Sequence, residues 1–229
     1  MVQVGACFMV KMSYLGRYFL LILTLWLVSH MNLIHAAPMS FKGSITSMSN
    51  ISSTYSSLES GYAITSRDTL GIKAAINKEN TNKLKTGGIF YLRRLMRINK
   101  INSQTNLWLF TEAGGIDVKK NLKNDNYFYL SPTLQFDYET KRLFNLISHQ
   151  VLRVGNENFD TTKVEAGFSF YEAAYNETQP WFLLKTRYTN NINNKTQYIP
   201  SLRFINKSLF GEVGLSTDGD PSFHIMYTF

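Results

Sequence analysis

Residues 127 to 138 alternate without a break. Phe128, Leu130, Pro132, Leu134, Phe136 and Tyr138 fall on one face, and Tyr127, Tyr129, Ser131, Thr133, Gln135 and Asp137 fall on the other. Successive side chains of a strand point to opposite faces, so this stretch is a strand with one apolar and one polar face. A helix would need a period near 3.6, which the stretch lacks. Pro132 removes one ladder donor and predicts a local bulge or bend. Two further stretches repeat the pattern. Val164, Ala166, Phe168 and Phe170 oppose Glu165, Gly167, Ser169 and Tyr171, and Leu209, Gly211, Val213 and Leu215 oppose Phe210, Glu212 and Gly214. The alternation is less clean earlier in the chain, where Trp108 and Phe110 share a face with Glu112.

The last seven residues sharpen the reading. Phe223, Ile225, Tyr227 and Phe229 form a wholly apolar face, with His224, Met226 and Thr228 opposite. This segment resembles the C-terminal strand by which bacterial outer-membrane barrels are recognised for assembly. The resemblance makes Phe223, Ile225, Tyr227 and Phe229 the expected barrel-assembly signal.

The N-terminus predicts export. Lys11 and Arg17 precede the apolar run Tyr18 to Val28, and the small residues Ala36 and Ala37 follow it. That order describes a signal peptide. Pro38 blocks cleavage immediately before it, so the expected cut follows Ala36, giving a signal over residues 1–36 and a barrel over 37–229. Met12 is a second candidate start. The run is shorter than the roughly 20 apolar residues of a spanning helix. The single cysteine, Cys7, precedes the run, so the exported part carries no disulfide, no lipid-anchoring cysteine and no cysteine metal site.

Composition fits strands with one face in lipid and one in water. Mean hydropathy is slightly negative at −0.16, yet the chain holds 16 Phe and 13 Tyr. Removing Lys11 and Arg17 from the 24 Lys and Arg leaves 22 against 16 Asp and Glu, a net of +6 after the signal. An exported chain without a compact basic motif is not expected to bind nucleic acid. Outer-membrane lipid, the acidic groups of lipopolysaccharide and the barrel-assembly machinery are the expected partners.

Turn-forming clusters of Asn, Lys, Asp and Gly divide the exported part into about twelve candidate strands, with ten as the smaller count. They run over 40–47, 57–66, 69–77, 87–98, 106–116, 127–138, 142–154, 162–173, 181–189, 197–205, 208–216 and up to Phe229. Connections at Arg67-Asp68, Glu139 to Lys141 and Asn206-Lys207 read as tight. Those at 78–86, 117–126, 155–160 and 190–195 read as longer polar loops on the opposite side. The expected fold is therefore all-β, a transmembrane antiparallel up-and-down barrel in the bacterial outer membrane.

Alternation assigns Arg93, Arg97, Glu112, Asp137, Glu165, Lys185, Arg187, Arg203 and Glu212 to the lumen. Mixed charge there suits either a polar channel or solute-binding chamber favouring anions, or a set of ion pairs that brace and plug the barrel. Catalysis is not expected. Only His149 and His224 follow the signal, Ser148 and His149 face opposite sides, and no G-x-S-x-G or H-E-x-x-H motif occurs. No spacing supports a metal site, and no cofactor is expected.

The segments GYAITSRDTLG (61–71), FSFYEAAYNETQPWFLLKTR (168–187) and PSLRFINKSLFGEVGLS (200–216) resemble those of an uncharacterised family of small proteobacterial outer-membrane barrels. The resemblance implies the fold, the membrane location and an association with heavy-metal handling, but it transfers no functional residue. The function expected on these grounds is a porin-like small channel or solute-binding barrel. The alternatives are a plugged structural or interaction barrel and, further off, a soluble periplasmic β-sandwich or a barrel enzyme.

Overall fold

The computed structural model describes residues 41–79, 82–120, 123–155, 157–174, 176–190 and 193–229. The expected signal peptide lies outside the described residues. The described chain is built of strands: β1 (Ile45–Ser52), β2 (Tyr55–Ala63), β3 (Asp68–Glu79), β4 (Asn82–Lys100), β5 (Ser103–Lys120), β6 (Lys123–Thr140), β7 (Leu143–Gln150), β8 (Arg153–Val154), β9 (Glu157–Asn158), β10 (Thr161–Ser169), β11 (Gln179–Thr189), β12 (Asn193–Asn206), β13 (Leu209–Leu215) and β14 (Pro221–Thr228). Each long strand pairs antiparallel with its neighbours in sequence, and β1 pairs with β14. Twelve strands thus close into a barrel. The two-residue strands β8 and β9 form a small hairpin beside β6, attached at Leu130 and Arg153.

Closure is complete down to the rim. Ile45 and Phe229 exchange backbone hydrogen bonds of 2.8 and 3.4 Å, and the hydroxyls of Thr46 and Thr228 meet inside at 3.1 Å. A closed ladder leaves no strand edge unpaired, which is what hydrocarbon demands of a backbone.

The two faces separate as the alternation requires. On β6, Phe128 is 72% exposed and Tyr129 only 2%. Leu58, Ile72, Ile89 and Ile225 on other strands are likewise exposed, giving an apolar exterior suited to lipid. Polar groups on that exterior are satisfied locally. Ser47 and Ser60, directly opposite one another, hydrogen-bond at 2.9 Å.

Several element boundaries differ from the sequence reading. β1 begins at Ile45 rather than Ser40, because pairing with both β2 and β14 recruits the polar stretch 45–52. Of the expected loops at 78–86 and 117–126, residues 78–79, 82–86, 117–120 and 123–126 are strand. β4, β5 and β6 run 19, 18 and 18 residues, well past the roughly 9–11 needed to cross a membrane. Where the outward face turns polar, as at Lys78, Lys83 and Lys119, the apolar-out alternation disappears, yet the ladder continues. Connection length therefore does not differ by side as expected: 53–54 at one end is as short as 141–142 at the other, and the long connection 170–178 lies at the terminal end. The seventh candidate strand splits into β7 and β8, and the eighth stops at Ser169, before Phe170 and Tyr171. Pro132 causes no register shift against β5. It sits where β6 passes from β7 to β8, its carbonyl accepting from the Val151 N–H at 2.9 Å.

Two bulges do occur, between Arg94 and Met96 and between Arg187 and Thr189. The first inserts one residue into β4 and reverses its alternation. This explains why alternation does not assign the faces of β4; on β5 the reason is different, since Trp108 and Phe110 line the interior beside Glu112.

The glycines of the 61–71 segment have a steric role. Gly61 and Gly71 are directly opposite across β2 and β3, and the inward Phe90 ring lies over both. A Cβ on Gly71 would stand 2.2 Å from the Ser60 carbonyl oxygen and 2.5 Å from that ring, whereas a Cβ on Gly211 would meet nothing within 4 Å. Gly71→Ala should lower the unfolding free energy by about 1–3 kcal/mol through this overpacking, and Gly211→Ala by much less. Urea titration of the folded barrel, followed by heat-modifiable gel mobility, checks the pair. Equal losses would refute the packing argument.

Candidate functional site

The barrel interior encloses a cavity of about 400 Å³ walled by residues from strands all around the circumference. Three polar groupings line it, each supplied by neighbouring strands whose inward positions fall into register.

The first grouping joins β2, β3 and β5. Lys73 lies 3.3 Å from Glu59 and 2.5 Å from Glu112, so one ammonium serves two carboxylates. The second joins β10 to β13. Arg203 bonds Glu165 at 3.0 Å and Glu212 at 2.8 Å, and Lys185 also pairs with Glu212. The Arg203 guanidinium is held between Phe144 and Phe210, at 4.8 and 4.7 Å from their ring centres. That clamp fixes a long side chain in one position and excludes water from its flat faces.

The third grouping lies on β4, β5 and β6 towards the terminal end. Asp137 accepts from the Asn106 amide at 2.6 Å and from the Trp108 indole N–H at 2.7 Å. Arg97 donates to the Asn106 carbonyl oxygen at 2.7 Å, and Gln104 donates to Glu139 at 3.0 Å. Arg94 and Arg97 stand 5.8 and 6.0 Å from the Trp108 ring centre. A chain of charge-assisted bonds of this kind rigidifies one wall of the cavity.

Of the residues assigned to the lumen by alternation, Arg97, Glu112, Asp137, Glu165, Lys185, Arg187 and Arg203 line the cavity, and Glu212 is buried beneath Arg203 and Lys185. Arg93 does not belong with them. Its side chain is half exposed on the outward face, 3.8 Å from Asp68, whose carboxylate also accepts from the Tyr91 hydroxyl at 2.5 Å. The β4 bulge is the cause: Arg94 keeps the inward parity of Phe90 and Leu92, and the extra residue after it turns Arg97 to the same face, so the two arginines share the lumen and Arg93 points out. Sequence alternation cannot register a one-residue insertion.

Other interior groups escaped the sequence reading. Glu59 and Lys73 lie on strands whose alternation is weak or whose neighbours are small, whereas Lys163 lies on the cleanly alternating β10. Lys163 was legible, since it shares parity with Glu165. The interior is also more aromatic than a polar lumen suggests, with Trp108, Trp181 and Phe210 buried inside. Farther from the chain termini, Leu84, Ile116, Tyr129, Leu152, Val154 and Phe159 pack together, so the β8–β9 segment adds an apolar cluster to the inner wall.

Ser148 is buried and His149 is exposed, its Nδ1 2.9 Å from the Thr162 hydroxyl, so no Ser–His pair forms there. His224 faces inward with its ring 4.8 Å from that of Phe210. Its Nε2 and the Trp181 indole N–H are buried without a partner among the described residues. Among the described residues, no group of three or more His, Cys, Asp and Glu is placed to hold a metal.

No family model matches the sequence, and no curated protein matches it. Solved structures similar in shape include the KdgM porin (TM-score 0.47, 8% identity, 81% of this chain and 98% of that one) and the KdgM porin in complex with disordered oligogalacturonate (0.48, 9%, 81% and 98%). The beta domain of the Bordetella autotransporter BrkA is a third (0.42, 13%, 81% and 97%). Identities and scores at these levels transfer neither a residue nor a role.

The ionic clamp makes its own prediction. Glu212→Gln leaves Arg203 and Lys185 competing for one carboxylate, and should cost about 3 kcal/mol in urea unfolding, as removal of one partner from a buried pair does. Adding Arg203→Met to Glu212→Gln should restore part of the loss. Strict additivity of the two substitutions would show that no such coupling exists.

Proposed function

We propose that this chain is an integral outer-membrane β-barrel whose interior is a small solute chamber or narrow channel, without an enzymatic role. The observation that carries the reading is the cavity of about 400 Å³ inside a closed barrel, walled by charged and aromatic side chains. That volume suits one small solute rather than bulk flow. Cation–aromatic stacks and ion pairs give it a fixed, polar lining.

One observation favours the second reading, a braced and plugged barrel. Glu59, Glu112, Asp137, Glu165 and Glu212 are all engaged by neighbouring side chains, and such cross-links stiffen a cylinder whether or not anything passes through it. Conductance of the purified barrel in planar bilayers separates the two. Steady current supports the chamber or channel, and silence supports the plug.

Lipopolysaccharide is the proposed lipid partner. Lys78, Lys83 and Lys119 stand directly opposite one another on β3, β4 and β5, on the outward face beyond the apolar side chains. Like charges in direct register destabilise a sheet unless an anion sits across them, and phosphate groups of an outer leaflet supply that charge. On this reading both chain ends face the periplasm. Since residues 37–229 contain no cysteine, Lys83→Cys and Lys119→Cys should react with a membrane-impermeant maleimide on intact cells, and Arg67→Cys and Lys207→Cys should not. Labelling at 67 or 207 alone would reverse the orientation.

A further inference from the structure

Two interior cations stand apart from the ionic groupings. Lys163 on β10 and Arg187 on β11 are directly opposite in the ladder, and both line the cavity. Like charges so placed repel, and neither forms an ion pair among the described residues. The carboxylates facing Lys163 are Glu59 and Glu165, and both are already engaged. Glu59 is held by Lys73 at 3.3 Å and Glu165 by Arg203 at 3.0 Å. The Arg187 side chain is also pinned. It crosses from β11 to lay its guanidinium over the Tyr55 ring of β2, 4.4 Å from the ring centre. Stacking occupies the faces of a guanidinium and leaves its in-plane N–H donors free for an oxyanion.

We propose that Lys163 and Arg187 form a binding site for a small doubly charged oxyanion, inorganic phosphate or a phosphomonoester, inside the barrel. Two adjacent cations without a carboxylate call for two negative charges. The planar fork of Arg187 takes two oxygens, and the mobile ammonium of Lys163 takes a third. The site rests on the chamber reading only in needing an interior that solutes reach.

The test is equilibrium dialysis of the folded, detergent-solubilised barrel against radiolabelled inorganic phosphate in mildly alkaline buffer. Saturable binding at one site per barrel is expected. Lys163→Gln and Arg187→Gln should each weaken it at least about tenfold, the worth of one charge-assisted contact. Lys100→Gln, at an exposed position near the terminal end, should leave it unchanged. Heat-modifiable mobility verifies folding of each variant. A measurement on the unaltered chain stands beside these: phosphate should slow acetylation of Lys163 by a small amine-reactive ester, read by peptide mass spectrometry, and should not slow that of Lys100. Absence of saturable binding, indifference to both substitutions, or no protection of Lys163 overturns the site. Steady bilayer current without phosphate binding overturns the site and leaves the chamber reading standing. Phosphate binding by a barrel silent in bilayers keeps the site and overturns conduction.

Discussion

Everything in this structure depends on the backbone ladder closing on itself. Inside hydrocarbon no water is present to take an unpaired N–H or C=O, and each orphan would cost several kcal/mol. The pairing of β1 with β14 removes the last two edges. The polar run of β1, with Ser47, Ser49 and Asn50, would make a poor strand alone. It becomes a strand because β2 and β14 flank it, and its hydroxyls find partners in Ser60 and Thr228. Closure thus decides local structure where propensity is silent.

A closed wall of alternating side chains forces half of them inward, and twelve strands enclose too little room for charges to stay independently hydrated. The interior resolves this by grouping. Glu59, Lys73 and Glu112 share one arrangement, Glu165, Arg203, Glu212 and Lys185 another, and Arg97, Asn106, Trp108 and Asp137 a third. Aromatic rings complete the packing: Phe144 and Phe210 clasp Arg203, and Tyr55 supports Arg187. The same groups that brace the barrel therefore shape the cavity. Against that background, Lys163 and Arg187, in direct register and without an ion pair among the described residues, depart from the pairing of those groups.

The exterior follows a simpler rule. Lipid contact asks only for apolar side chains, and Leu58, Ile72, Ile89, Phe128 and Ile225 supply them. Beyond the lipid, the outward side chains of β3 to β5 turn polar, as at Lys78, Lys83 and Lys119, while Leu84 and Ile116 stay buried inside, so the alternation that marks a lipid-facing strand is lost. The ladder persists there because hydrogen bonding between neighbouring strands does not need an apolar face.

The sequence by itself determined the fold class and the faces of β6, β10, β13 and β14, and set the strand count at about twelve with ten still open, because an alternation of apolar and polar residues has one structural solution when a strand separates lipid from lumen. It also placed Glu112, Asp137, Glu165, Lys185, Arg203 and Glu212 inside. Only the tertiary structure decided the rest. The one-residue insertion at Arg94–Met96 put Arg97 on the inward face of Arg94 and left Arg93 on the opposite one, a shift that no periodicity reveals because periodicity assumes its absence. Which carboxylate meets which cation is likewise a matter of register and curvature. Arg187 touches Tyr55 only because the sheet closes and brings β2 across the lumen from β11, although the two residues lie far apart in the chain.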